Sequence, residues 1–149
     1  MSENRNVAQI YRINVILWMA FLASQFLFVV VLYFAKPQIF KFDFSRPLFG
    51  EIAVVVAVLA FIAFLNFALS FFLKSASVKR AIEEQKPEHL QTALVLACAF
   101  CESVSVIGMI LAFVFDYQYF FLWFALGILG IILHFPKLDN YLAADYKKV

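Results

Sequence analysis

Residues 91–115 read QTALVLACAFCESVSVIGMILAFVF, and Glu102 is the one charged residue among them. A helix of that length rises about 37 Å, enough to cross a hydrocarbon core of roughly 30 Å. Glu102 is the twelfth residue of the run, which puts a carboxyl group near the bilayer midplane. An ionised carboxylate there costs several kcal/mol, on scales running from about 2.5 to more than about 10. A residue kept against that cost faces protein or a hydrated cavity and has a task, so a proton or cation site is the first expectation.

The rest of the chain sets the class. Apolar residues make up 65% of the sequence and the mean hydropathy is +0.90, well beyond the roughly one-half apolar share of a soluble domain. Four stretches are candidates to span: residues 13–35, 52–73, 91–115 and a shorter one at 119–135 that contains Gly127 and Gly130. The alternating polarity of a membrane β-barrel is absent. The sequence therefore predicts an all-α, polytopic membrane protein, a single four-helix transmembrane domain over residues 1–149 embedded in the lipid bilayer.

Basic residues orient it. Arg5, Arg12, Lys74, Lys79, Arg80, Lys86, Lys137, Lys147 and Lys148 fall on one side, and Lys36, Lys41 and Arg46 on the other. The positive-inside rule places both termini and the second loop in the cytoplasm, in a plasma (inner) membrane. The first segment reads as an uncleaved anchor because its apolar run exceeds that of a signal peptide. Basic residues are interleaved with Glu83, Glu84 and Glu88, so no concentrated patch for nucleic acid exists. Trp18 and Trp123 read as interface anchors, and His134 as an interfacial histidine without a metal partner.

On a helical projection Val95, Cys98, Val106 and Met109 share the face of Glu102. A flank of small residues, Ala97, Cys101, Ser105, Gly108 and Ala112, would admit a second helix at close range, from the same chain or from a neighbour. Two amides lie at suitable depth: Gln25 matches Glu102, and Asn66 is somewhat nearer the cytoplasm. Either could bond a protonated carboxyl or give an oxygen to a hard cation. No Lys or Arg lies within the predicted spans, so desolvation favours the neutral acid. The expected ion-binding set is Glu102, Ser103, Gln25 and Asn66, for H⁺ or Na⁺. The expected packing set is Ala97, Cys101, Ser105 and Gly108.

Residues 81–115 (AIEEQKPEHLQTALVLACAFCESVSVIGMILAFVF) resemble the loop and second helix of the c subunit, or proteolipid, of rotary ATP synthases. Gln85, Lys86, Pro87 and Glu88 stand where that family has its polar loop, and Ala99 to Ser103 where it has its carboxylate motif. The resemblance implies a carboxylate, here Glu102, that carries H⁺ or Na⁺ in an oligomeric ring. A hydroxyl after the acid, here Ser103, occurs in the Na⁺-coordinating members. The second segment lacks that family's glycine-rich pattern, and the first and fourth have no counterpart in its two-helix form.

Two other readings carry weight. Cys98 and Cys101 form a C-x-x-C pair of the sort used in membrane thiol redox proteins, but no second cysteine pair exists to pass electrons on. The chain could instead be a non-catalytic scaffold or accessory subunit of a larger membrane complex, with Glu102 as a polar lock between helices. No nucleotide-binding glycine loop, Ser-His-Asp set or metal cluster is present in the sequence. It is read as a non-enzyme without cofactor, a homo-oligomer or part of a larger membrane complex.

Overall fold

The computed structural model describes residues 3–145 apart from Phe42, Phe44 and Arg46, with side chains from Val7 onward. Of the basic residues counted for orientation, Arg46, Lys147 and Lys148 lie outside the described residues, as does the side chain of Arg5. All regular structure among the described residues is helical: α1 Glu3–Ala35, α2 Ala53–Glu83, α3 His89–Phe115, α4 Phe120–Leu133 and α5 Leu138–Asp145, with a 3-10 turn at Pro37–Phe40. The first three long helices are each apolar enough to cross a membrane. α4 reaches the required length only together with α5, from which it is bent by 43°.

α1 and α2 outrun the apolar stretches predicted for them, whereas α4 falls short of residues 119–135. α1 starts ten residues before residue 13, and α2 continues ten residues past Leu73. Neither extension contains glycine or proline, so nothing in the sequence stops the hydrogen-bond ladder. Both extensions are also anchored, since Val7, Val78 and Ala81 pack with Leu90, Tyr141 and Ala144. Hydropathy locates a span but does not locate the ends of a helix.

The α2–α3 turn closes through Gln85 at φ 53°, with Lys86 N–H donating to the Ala81 carbonyl at 2.9 Å. This six-to-one bond is the Schellman closure, and Pro87 prevents α2 from resuming. Glu84 sits 2.6 Å from Arg80 and 3.0 Å from His89. The Arg80 hydrogen bond is the main cause holding its carboxyl below the usual range; partial desolvation opposes this and His89 assists. The ion pairs of this turn therefore contribute above the ordinary carboxylate range and fade as pH falls through the lowered folded value.

α3 is the hub. It packs most extensively on α2 and α4 and next on α1. α1 runs parallel to it, with Val7 beside Leu90 and Lys36 beside Phe113, and meets the others through a heptad seam of Val7, Asn14, Gln25 and Leu32, all buried. α4 lies against the back of α3, where Ala97, Cys101, Ser105, Gly108 and Ala112 are buried. A Cβ on Gly108 would stand 2.5 Å from Trp123 Cβ. One on Gly130 would stand 2.6 Å from Cys101 Sγ and 2.9 Å from Phe67. The small-residue flank thus faces α4 of the same chain. Trp123 is buried against it.

The opposite side of α3 stays open between α1 and α2, where Leu96, Ala99, Ile110 and Val114 are exposed.

Because Gly130 has no room for a side chain, Gly130→Val should cost about 1–3 kcal/mol by overpacking. Leu129→Val, at a position 49% exposed, should cost well under 1 kcal/mol. Thermal or denaturant unfolding of the two variants in detergent measures the difference; equal losses would show that α3 and α4 are not this close.

Candidate functional site

Glu102 is the central residue of α3, thirteen residues from either end. It sits half-buried on the α1 margin of the open side. Its partner is Ser24 of α1, whose hydroxyl is hydrogen-bonded to Oε1. The same hydroxyl donates to the Phe21 carbonyl oxygen at 2.7 Å, as serines in helices commonly do. Oε2 has no hydrogen-bond partner among the described residues.

A proton count constrains this pair. A serine hydroxyl carries one hydrogen and two lone pairs. Facing a backbone carbonyl and a carboxylate, Ser24 must share its one hydrogen between them in a weaker three-centre bond or give it to one. With Glu102 protonated, its O–H donates to Ser24 Oγ while Ser24 donates to Phe21. Both contacts are then hydrogen bonds at once, and no charge is left in the helix packing.

Ser103 points the other way. It accepts from Asn66 Nδ2 of α2 at 2.9 Å and donates to the Phe100 carbonyl at 2.7 Å. The four residues expected to form one ion site are therefore divided. Glu102 bonds α1 through Ser24, and Ser103 with Asn66 ties α3 to α2. Gln25 joins neither pair. It is fully buried, and both its amide atoms lack a protein partner.

A second polar group lies nearer the start of α3. His134, which follows α4, is fully buried. Its Nε2 is 2.9 Å from Ser70 Oγ, which donates to the Phe67 carbonyl at 2.6 Å, and Cys101 Sγ lies 3.5 Å from the same oxygen. Lys74 Nζ donates to the His134 carbonyl at 2.9 Å. Cys98 and Cys101 are reduced and buried. Among the described residues no cluster of three metal-ligating side chains occurs.

Sequence reasoning missed Ser24 and Ser70. Ser24 lies one residue from Gln25, at the depth searched for a partner to Glu102, and a hydroxyl there was as good a candidate as the amide. Ser70 shares a helical face with Ala63 and Asn66 but gave no sign of a histidine arriving from α4. A groove of about 440 Å³ between α2 and α4 is lined by Val56, Ala60, Phe64, Leu122, Trp123 and other apolar or aromatic side chains. Glu102 does not line it.

No protein-family model, curated protein or solved structure matches the chain.

Two outcomes test this geometry. A double-mutant cycle on Ser24→Ala and Glu102→Ala should return a coupling of about 0.5–1.7 kcal/mol, the range of hydrogen bonds between membrane helices. The Ser24→Ala and Asn66→Ala pair should be additive within about 0.5 kcal/mol. Coupling in the second cycle would mean that the polar pairs form one site after all. Separately, Gln25→Leu removes an unpartnered buried amide and should leave stability unchanged or raise it. A drop of more than about 1 kcal/mol in unfolding would show that the amide is bonded.

Proposed function

We propose that the chain is a four-span integral membrane protein with both termini in the cytoplasm, and that Glu102 is a site for protons. The observation that carries this reading is the Ser24 hydroxyl placed between the Phe21 carbonyl and Glu102, an arrangement balanced when the carboxyl holds its hydrogen. Two further facts support it. Glu102 is only half-buried, on the open side of α3, where a proton could be exchanged with a neighbouring subunit or a transient water. Ser103 is committed to Asn66, which leaves few oxygen ligands beside Glu102 for Na⁺, a hard cation that needs several. H⁺ is thus favoured over Na⁺.

The small-residue flank is covered by α4, so any assembly with further copies or with a larger complex would use other faces, the open side of α3 first. The Ser24 bond also favours a second reading, in which Glu102 is a structural lock holding α1 to α3 in a scaffold or accessory subunit.

Glu102→Gln separates the two. The amide keeps the shape and can bond Ser24, but it cannot release a proton. The expected result is a variant that folds and unfolds like the parent but no longer moves H⁺ across reconstituted vesicles under an imposed potential. A hydrophobic carbodiimide should modify Glu102 in the parent at pH 6. Full H⁺ movement by the Gln variant, or none by the parent, would end the proton reading and leave the lock.

A further inference from the structure

The open side of α3 has a periodicity of its own. Leu96, Ala99, Ser103, Val106 and Ile110 follow one another at intervals of three, four, three and four residues, the spacing at which one helix packs along another. None of the five is buried, whereas the small residues on the back of α3 all are. Ala99 and Ser103, at the middle of this seam, leave room for a close neighbour.

Polar atoms flank the seam at one depth. Glu102 and Ser103 are consecutive in α3, and Asn66 of α2 reaches Ser103, so Glu102 and Asn66 stand at nearly the same level. They occupy opposite margins, Glu102 toward α1 and Asn66 on α2. Each has bonding capacity left. Among the described residues Oε2 of Glu102 accepts no hydrogen bond, and the Asn66 amide bonds only Ser103, through one N–H. A free acceptor and a free donor are thus held on the two sides of an apolar seam, where unmet polar groups are costly in lipid.

Copies of one sequence insert into a membrane the same way round. Two of them with their open sides facing are related by a two-fold axis along the membrane normal, so residues of equal depth meet. Facing surfaces exchange left and right, and the α1 margin of one copy opposes the α2 margin of the other. We propose that the chain forms this parallel dimer through the open side of α3, with the Asn66 amide of each copy donating to Oε2 of the other copy's Glu102. The occupant is a second copy rather than a foreign helix because one surface carries both halves of the bond. Leu27 and Ile62, exposed one turn from Ser24 and Asn66, would add apolar contact on the flanks. The proposal names the partner of the Glu102 site and rests on the protonated reading of it: the acid O–H serves Ser24, and the remaining carbonyl oxygen accepts from the amide.

The test is Förster transfer between donor- and acceptor-labelled full chains in phosphatidylcholine vesicles, over a range of protein-to-lipid ratios. The parent should associate as a dimer. Asn66→Ala removes two bonds per dimer and should weaken association about eightfold. Ser103→Ala removes only the bond within the chain and should keep the parent's affinity. Glu102→Gln still offers a carbonyl oxygen and should dimerise even though it moves no H⁺, so association and proton movement can fail separately. Ala99→Cys should form a disulfide between copies when oxidised by copper phenanthroline, whereas Ile132→Cys, exposed on α4, should not. That pair carries the test even where Asn66→Ala fails to fold. A parent that stays monomeric, equal loss in Ser103→Ala and Asn66→Ala, or equal crosslinking at positions 99 and 132 would overturn the dimer.

Discussion

The near-contact of α3 with α4 sets the rest of the structure. Between helices in a membrane there is no hydrophobic drive, because lipid is as apolar as the side chains it would replace, so association depends on fit and on polar bonds. Here the fit is made by absent side chains. Gly108 gives way to Trp123, and Gly130 to Cys101 and Phe67. Once α4 occupies the back of α3, only two flanks are left for α1 and α2, and the remaining side has no helix to cover it. The open side of α3 is what is left over from close packing behind it.

That arrangement determines where polarity can be placed. Backbone and side-chain polar groups inside a bilayer must find partners within the protein. Ser24 with Glu102 and Asn66 with Ser103 are such partnerships, one on each flank of the open side. Ser70 with His134 serves the same purpose toward the other face. Each adds a polar tie to the apolar packing between two helices. Gln25 and Ser105, buried without a protein partner, are exceptions, and Gln25 sits beside the one serine that contacts the carboxyl.

The apolar runs and the small-residue flank were legible in the sequence because both follow from local periodicity. Residues 91–115 gave α3 almost to the residue at its far end, and Ala97, Cys101, Ser105 and Gly108 were recognisable as a close-packing flank. What covers that flank was not legible. An i, i+4 pattern of small residues says that a helix can approach, not which one. The same limit applies to the polar pairs. Depth along a helix follows from counting residues, which brought Gln25 level with Glu102, but rotation about the axis depends on packing against two neighbours at once. A difference of one residue, about 100°, put Ser24 rather than Gln25 against the carboxyl. The break that makes α4 short was partly visible in Pro136, which cannot continue a helix, while the buried position of His134 depends on Ser70, far away in sequence.

Charge accounts for the special position of Glu102. Lys36 donates to the Phe113 carbonyl at 2.7 Å, at the C-terminal end of α3, and pairs with Asp116 at 2.6 Å. Lys74 donates to the His134 carbonyl at 2.9 Å, at the end of α4. Both lysines complement the negative ends of helices, so the cations nearest the apolar region are held at its two boundaries. Among the described residues, Glu102 has one hydrogen-bond partner, the Ser24 hydroxyl. A hydroxyl can share a proton with a carboxyl but cannot neutralise a carboxylate.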